Sequence, residues 1–326
     1  MLYDCPPLPR PDKRRGAVRP IIWISEDIPM DRLLLIYNPT SGTGRVSAGL
    51  SELVDEFTKA GWLVSAYPTQ GKGDAARAAQ ELGPEFERVV CAGGDGTLSE
   101  TVTGMMALEH PPLLGYIPFG STNDCAVNLD LPKLPRQAAA IAAGQGVPRA
   151  SDIGKLNGQP FVYVAAFGAF TQVAYDTPQD LKNTFGHLAY IVAGIASLPT
   201  ITPFHLRVEY DGQVLEDDFY FGMVSNAYSI GGLRLPKNES VVLDDGLFEV
   251  DLIKKPVSLA DLADGFQGFF AQSQGVAGAR VHFQAAHLVF TSEEPIPWTI
   301  DGEYGGCEAV NVVENCTRAL DIIRGK

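Results

Sequence analysis

The residues of this chain that could do chemistry are concentrated in glycine-rich turns that follow short apolar runs. The central turn lies in Val89 to Glu100, which reads Val-Val-Cys-Ala-Gly-Gly-Asp-Gly-Thr-Leu-Ser-Glu. Its glycines let a ligand approach the backbone, and the unpaired N–H groups at the beginning of a helix face an anion such as phosphate. Asp95 would repel a bare phosphate, so it is best explained as the partner of a divalent cation that rides on the phosphate. The turn therefore indicates a nucleotide with Mg²⁺; the alternative is an ordinary turn in which Asp95 and Thr97 only cap the helix.

Two further turns have the same character. The apolar run Leu33 to Tyr37 ends in Asn-Pro-Thr-Ser-Gly-Thr-Gly-Arg, which is neither a P-loop nor the Rossmann Gly-x-Gly-x-x-Gly fingerprint. The run Leu113 to Ile117 ends in Pro-Phe-Gly-Ser-Thr-Asn-Asp. Because the carboxyl ends of parallel strands meet at one edge of a sheet, we expect the polar side chains of the three turns to converge there. They are Asn38, Asp95, Ser121, Asn123 and Asp124.

The elements that must position these turns alternate between strand and helix. Strands are predicted at Leu33 to Tyr37, Leu63 to Tyr67, Val89 onwards and Leu113 to Ile117, with helices at about Val46 to Ala60 and Asp74 to Leu82. This alternation predicts an α/β fold with a parallel sheet and helices on both faces. After Asp152 the pattern changes to short β-prone runs separated by Asp-Gly and Gly-Gly turns, which predicts an antiparallel sandwich or barrel. These runs are Phe161 to Ala166, Leu206 to Tyr210, Asp218 to Val224, Leu247 to Ile253 and His287 to Phe290, and one helix is predicted near Gln179 to Ser197.

Composition limits the classes of function. The 326 residues carry 25 basic and 39 acidic side chains, a net charge of −14, which argues against sequence-independent binding to nucleic acid. The five cysteines are widely spaced and include no Cys-x-x-Cys pair, so we expect reduced thiols in the cytoplasm. No run approaches about 18 uninterrupted apolar residues and the N-terminus has no signal-peptide pattern, so we expect neither a transmembrane segment nor export.

The three turns also form a recognisable set of motifs. In order along the chain they are Asn-Pro-x-Ser-Gly from Asn38, Gly-Gly-Asp-Gly-Thr from Gly93, and Pro-x-Gly-Ser-x-Asn-Asp from Pro118. This set resembles the diacylglycerol kinase catalytic-domain family, in particular its small soluble bacterial lipid kinases. Gly-Gly-Asp-Gly alone is shared with NAD kinases and phosphofructokinases, so the resemblance depends on the motifs together. It continues in Ser151 to Gly154, Leu243 to Leu247 and Asp301 to Glu303, and so covers about residues 31 to 326.

The resemblance implies a domain organisation as well as a fold. Residues 1–29 are expected to be a poorly ordered extension. Residues 30–150 would form the α/β ATP-binding domain, of the NAD kinase and diacylglycerol kinase type, completed by the C-terminal segment 306–326. Residues 151–305 would form a β-sandwich domain that binds the acceptor lipid. A cleft between the two would place the acceptor opposite the nucleotide.

The resemblance further implies which residues bind the cofactors. Asp95 would hold the Mg²⁺ that accompanies ATP, and Asp124 and Asp152 would complete an acidic cluster with it, although either could be a structural cap. A second Mg²⁺ site is implied at Asp245 with the backbone carbonyls of Val242 and Leu247, where a plain hairpin turn is the alternative. The residues implied to contact ATP are Asn38, Pro39, Thr40, Ser41, Gly42, Thr69, Gly94, Asp95, Gly96, Thr97, Leu98, Ser99, Glu100 and Ser121.

Glu303 matches the family's general base, which takes the proton from the acceptor hydroxyl. The chain departs from the family at three positions: Ser121 replaces the usual Thr and keeps the hydroxyl, Cys125 replaces a Phe, and Val127 replaces an Arg. The last change removes a cation that could pair with a carboxylate or phosphate. It therefore leaves the local geometry and the choice of acceptor open.

The resemblance predicts an ATP- and Mg²⁺-dependent lipid kinase that converts diacylglycerol to phosphatidic acid. Alternative acceptors are sphingoid bases, ceramide and phosphatidylglycerol. An NAD kinase-like enzyme and a non-catalytic lipid- or nucleotide-binding regulator also stay open. We expect a cytoplasmic protein that works transiently at the inner membrane face, where its lipid substrate lies, and that forms a homodimer, as is common in this family.

Overall fold

The computed structural model describes residues 30–42, 44–168, 202–234, 241–255 and 280–326. The predicted extension 1–29 and the predicted helix near Gln179 to Ser197 lie outside these residues. Asp31–Lys326 form one compact unit. Among the described residues, no helix has both the length and the apolar character needed to cross a membrane.

The first half of the chain alternates strands and helices because apolar runs of about six residues are separated by amphipathic segments. The strands run side by side in the order β2, β1, β3, β4, and every neighbouring pair is parallel. A 3₁₀ turn at Gly83–Glu85 and a π-helical turn at Ile141–Gln145 complete this half. Its elements are β1 (Arg32–Tyr37), α1 (Arg45–Lys59), β2 (Leu63–Pro68), α2 (Asp74–Leu82), β3 (Arg88–Gly93), α3 (Asp95–Met105), β4 (Leu113–Pro118), α4 (Asp124–Asn128) and α5 (Pro135–Ala140).

The second half is built from antiparallel strands in the described residues. Its neighbouring strands pair in antiparallel fashion there, apart from one parallel contact between the last strand and β4. The mixed α/β fold with a following antiparallel region agrees with the prediction. The strands are β5 (Val147–Leu156), β6 (Gln159–Phe161), β7 (Val164–Gly168), β8 (Phe204–Tyr210), β9 (Gln213–Ser225), β10 (Ser229–Ile230), β11 (Leu233–Arg234), β12 (Phe248–Lys254), β13 (Arg280–Ala285), β14 (His287–Ile300) and β15 (Glu303–Arg324).

The two halves share one sheet. β15 pairs with β14 and β5 in antiparallel fashion and reaches β4 in parallel register at Ile322 and Leu114. The described sheet therefore runs from β13 through β12, β9, β7, β14 and β15 to β4, β3, β1 and β2. Glu303, at the beginning of β15, lines one cavity with Asn38, Thr69 and Gly94, which follow β1, β2 and β3.

Alternate residues of the parallel strands pack on opposite faces. Leu34 and Val89 belong to a core shared with α2 and α3, whereas Leu33 and Val90 belong to a core shared with α1 and α5. A third core lies within the antiparallel region around Trp298. With both faces covered, the polar turns that follow β1, β3 and β4 are left at one edge of the sheet.

Candidate active site

The turn after β1 is held by its own side chains. The Asn38 Oδ1 atom accepts hydrogen bonds from the Thr40 N–H at 3.0 Å and from the Thr40 hydroxyl at 2.8 Å. Gly42 has φ +61°, and a Cβ atom added there would lie 2.8 Å from the Phe119 carbonyl oxygen. Glycine at position 42 thus permits both a left-handed backbone and the close approach of the turns after β1 and β4.

Asp95 joins the turns after β3 and β4. It begins α3, and its carboxylate accepts the backbone N–H groups of Asp124 at 3.1 Å and Cys125 at 3.2 Å. Burial, followed by the charge of Asp124, raises the pKa of Asp95 to about 6, and Asp301 acts in the same direction. A carboxylate in these surroundings is stabilised by a nearby cation.

Two further carboxylates, Asp124 and Asp152, were predicted to form an acidic cluster with Asp95. Asp124 is its neighbour, and the Asp124 carboxylate accepts hydrogen bonds from the Ser229 hydroxyl at 2.8 Å and the Gly232 N–H at 2.9 Å. The Asp152 carboxylate accepts the N–H groups of Gly246 and Arg318, each at 2.7 Å. It thereby satisfies backbone amides where β5 and β15 pair beside the turn that precedes β12, as the structural-cap alternative expects. A part for Asp152 in the acidic cluster stays a prediction.

Asp301, which was not predicted as a site residue, is the further carboxylate near Asp95. It is 5% exposed, and its oxygens accept the N–H groups of Val162, Tyr163 and Val164 at 2.7, 3.0 and 3.2 Å. It also accepts the Ser99 hydroxyl of α3 at 3.0 Å. Asp301 thereby fixes the turn that carries Glu303 against the helix that carries Asp95.

A cleft of about 570 Å³ opens where these pieces meet. Glu303 lines it, and the Lys72 ammonium, from the loop after β2, lies 3.3 Å from the Glu303 Oε2 atom. Neither Lys72 nor its ion pair with Glu303 was predicted. The predicted site residues that line the cleft are Asn38, Ser41, Thr69, Gly94, Gly96, Thr97, Ser99, Glu100 and Glu303.

The remaining predicted ATP contacts do not line this cleft. The Leu98 side chain is buried in the core, and its N–H donates to the Gly94 carbonyl as part of α3, so packing explains it. Ser121 lines a second cavity, of about 640 Å³, on the side of α1 and α5. Pro39, Thr40, Gly42 and Asp95 belong to the same turns but are not among the residues that line the cleft.

The predicted second metal site forms a compact turn. The Asp245 Oδ1 atom accepts the Leu247 N–H at 3.0 Å, and burial is the main cause that raises the pKa of Asp245. Val242 is an exposed neighbour. Across the part of the chain that the structure describes, no group of three or more His, Cys, Asp or Glu side chains is placed to hold a metal ion. Binding of Mg²⁺ by Val242, Asp245 and Leu247 thus stays a prediction.

The arrangement can bind a phosphorylated ligand and remove a proton next to it. Residues of the glycine-rich turns, the beginning of α3 and an exposed carboxylate from β15 line the same cleft. The first feature suits phosphate groups, and the second suits a general base.

Comparison with known proteins gives matches over both halves of the chain. A family model described as "Diacylglycerol kinase catalytic domain" matches residues 32–156, and one described as "YegS C-terminal NAD kinase beta sandwich-like domain" matches residues 164–324. Both matches confirm the resemblance inferred from the motifs.

Individual relatives agree over most of their length. A diacylglycerol kinase of Bacillus subtilis (strain 168) is 36% identical over 286 residues, which are 85% of this chain and 91% of the relative. A diacylglycerol kinase of Staphylococcus carnosus (strain TM300) is 37% identical over 283 residues, 84% of this chain and 89% of the relative. A crystal structure of a diacylglycerol kinase from Bacillus anthracis strain Sterne is similar with a TM-score of 0.72 at 25% identity, covering 90% of this chain and 97% of that one.

Proposed function

Because the chain belongs to the diacylglycerol kinase family and is a lipid kinase, we propose that it transfers the γ-phosphoryl group of ATP to the free hydroxyl of diacylglycerol. The observation that carries this proposal is the cleft itself. The glycine-rich turns suited to phosphate and the carboxylate of Glu303 line the same cavity. A nucleotide held by the turns would present its terminal phosphate to an acceptor hydroxyl beside Glu303.

Glu303 acts as the general base in the proposed reaction. Its carboxylate takes the proton of the acceptor hydroxyl while that oxygen forms a bond to the γ-phosphorus. The bond between the γ-phosphorus and the β,γ-bridging oxygen breaks, and ADP leaves with the electron pair. Asp301 serves as a positioning residue, since its bonds to Ser99 and to the backbone from Val162 to Val164 hold the turn that bears Glu303.

Asp95 fits a Mg²⁺–nucleotide complex. Its pKa is raised to about 6 by burial and by Asp124, so a cation beside it would relieve an unfavourable negative charge. Mg²⁺ bound to phosphates needs only one or two protein carboxylates, and Asp124 is the second one available. When bound, the ion would neutralise charge on the phosphates. The two backbone N–H donors from Asp124 and Cys125 hold the Asp95 carboxylate in place for this role.

We further propose that residues 30–150 and 306–326 together bind the nucleotide and that residues 151–305 bind the lipid. The parallel contact between β15 and β4 supports the inclusion of the C-terminal segment in the nucleotide-binding part. The two family matches meet between residues 156 and 164, near the proposed boundary at residue 150, and the second match continues to residue 324. The protein would work at the membrane surface, where its substrate lies. Homodimer formation stays a prediction.

The test is Mg²⁺-dependent transfer of labelled γ-phosphate from ATP to a panel of lipids in mixed micelles, with NAD as a soluble acceptor for comparison. The proposal expects labelled phosphatidic acid from the native chain and none above background from Asp95→Ala. Glu303→Gln tests the general base. Its matched control is Glu308→Gln, at an exposed acid of the same strand outside the cleft, which should keep full activity. Label in sphingoid base, ceramide, phosphatidylglycerol or NAD instead would overturn the choice of acceptor.

A further inference from the structure

The cleft has little positive charge with which to receive a nucleotide. Glu100 and Glu303 line it, and Asp95 is next to Gly94 and Gly96, which also line it. In the part of the chain that the structure describes, Lys72 is the only lysine or arginine among the lining residues. A triphosphate adds several negative charges to this acidic site, so the position of the single ammonium group bears directly on nucleotide binding.

The backbone of Lys72 is fixed at the cleft by bonds on both sides of it. The Gln70 N–H donates to the Asp74 carboxylate at 2.8 Å, and the Gly73 N–H donates to the Glu100 carboxylate, also at 2.8 Å. Thr69, at the beginning of the loop, donates its N–H to the Tyr37 carbonyl at 2.9 Å. The loop is thus joined to β1 and to α3, the two elements whose ends carry the phosphate-binding turns.

The side chain of Lys72, by contrast, forms an exposed ion pair as its one polar contact with the described residues. Its ammonium is 3.3 Å from the Glu303 Oε2 atom, and the two side chains are 83% and 62% exposed. Exposed ion pairs of this kind contribute little to stability because water and salt screen them. The contact with Glu303 can therefore be exchanged for another anion at small cost.

We propose that Lys72 binds the terminal phosphate of ATP and that, before ATP enters, it forms an ion pair with the carboxylate of Glu303. This inference rests on the proposed kinase function and adds a residue to it. A base accepts a proton from an oxygen within about 3 Å, and the attacking oxygen lies within about 3.5 Å of the phosphorus. The terminal phosphate must consequently lie within reach of an ammonium group that already contacts the base.

The exchange of partners has a functional consequence. The terminal phosphate carries more negative charge than one carboxylate and attracts the ammonium group away from Glu303. Glu303 is then free to accept the proton of the lipid hydroxyl. Lys72 would thus distinguish ATP from shorter nucleotides and make the base available only when ATP is bound.

The first test measures, by calorimetry on the full chain with Mg²⁺, the dissociation constants of a non-hydrolysable ATP analogue, of ADP and of AMP. Lys72→Met should weaken binding of the ATP analogue by about 10- to 100-fold, the usual effect of losing a hydrogen bond to a charged group, and should leave AMP binding unchanged. Lys72→Arg should restore most of the loss. Lys59→Met, at an exposed lysine that pairs with Asp55 on α1, is the matched control and should bind like the native chain.

The second test uses Glu303→Gln, which removes the competing carboxylate. This variant should bind the ATP analogue about 2- to 5-fold more tightly than the native chain, the range expected for an exposed ion pair. The gain should vanish in the double variant that carries both Lys72→Met and Glu303→Gln. If Lys72→Met bound the ATP analogue with native affinity, or lost as much affinity for AMP as for the ATP analogue, this inference would be overturned and the proposed function would stand. A native chain that binds no ATP analogue would overturn the proposed function together with it.

Discussion

Single buried carboxylates determine how the parts of the cleft are joined. Asp95 accepts N–H groups from the turn after β4, and Asp301 accepts them from the segment before β7. Each carboxylate therefore fixes the backbone of a distant segment as well as its own position. This differs from Glu303 and Lys72, whose exposed side chains are free to exchange partners.

Asp301→Asn tests whether the Asp301 carboxylate holds these distant segments together. Asn tolerates the left-handed backbone of this position, φ +48°, so the change acts mainly on the hydrogen bonds. Loss of one acceptor oxygen beside buried N–H groups should lower the free energy of unfolding by about 1–3 kcal/mol, measured in urea, and should reduce phosphoryl transfer. Ser99→Ala removes only the single hydroxyl bond and should cost about 1 kcal/mol or less. Native stability and native activity of Asp301→Asn would show that the Asp301 carboxylate does not hold these segments together.

The sequence allowed some of these residues to be predicted and not others. Asp95 and Glu303 stand in short motifs whose residue types suggest their chemistry. Asp301 acts through partners as far as 202 positions away, and Lys72 through one 231 positions away, so neither role can be recognised before the chain is folded. The bonds of Asp152 to Gly246 and Arg318 were out of reach for the same reason.

The turns are the elements that need unusual backbone geometry. Gly42 combines φ +61° with a close approach to the Phe119 carbonyl, whereas Gly44 has φ +82° and open space where a Cβ atom would be added. Gly42→Ala should therefore destabilise the protein more than Gly44→Ala, by at least about 1 kcal/mol, and should also weaken ATP binding, because the turn after β1 must move. Thermal unfolding and ATP titration of both variants would check this. Equal effects of the two substitutions would contradict the close-approach argument.

β12 pairs with the edge strand β13 in the described sheet, and charged side chains of the two strands contact each other there. The His282 Nδ1 atom is 3.1 Å from the Asp251 carboxylate, its Nε2 atom is 3.2 Å from the Glu249 carboxylate, and Arg280 also bonds Asp251. The bond to Asp251, followed by the one to Glu249, raises the pKa of His282 from 6.5 to about 9. Protonated His282 thus stabilises the pairing of the two strands.

A pH titration of stability tests this strand pairing. Because the pKa of His282 is higher in the folded state than in the unfolded chain, its contribution is complete below pH 6.5 and is lost as the pH rises through about 9. The melting temperature of the native chain should fall over that interval, and His282→Gln should flatten the fall. His205→Gln, at a more exposed histidine paired with Glu216 and Asp218, should change the slope less. Identical pH profiles for native and His282→Gln protein would refute the assignment.

Prediction of elements succeeded where the hydrophobic period was clear. The predicted helix Asp74 to Leu82 matches α2, and the predicted strand Leu33 to Tyr37 matches β1 to within one residue. β15 was not predicted as a strand, because Gly305, Gly306 and charged residues interrupt its alternation, and its pairing with β5 shifts register between Cys316 and Leu320. Its partners lie far away in sequence, so pairing rather than local preference determines its conformation.

At the scale of the whole molecule, β15 joins the parallel and the antiparallel regions of the sheet. Ile322 near its end is 1% exposed and pairs with Leu114 of β4. Ile322→Ala should lower the free energy of unfolding by about 2–5 kcal/mol through the cavity it leaves. Val310→Ala, at a residue of the same strand that is 52% exposed, should change it by less than about 1 kcal/mol. Urea unfolding of both variants decides whether the C-terminal part of the strand is essential to the fold.

The most direct test of the central claim is a single-turnover measurement with ATP bound and diacylglycerol in micelles, comparing the native chain with Glu303→Gln. If Glu303 is the base opposite the phosphate-binding turns, phosphatidic acid formation should slow by about 100-fold or more while ATP binding is retained. A native rate in Glu303→Gln with ATP bound would contradict the account, because the proton would then leave the acceptor without the carboxylate of β15.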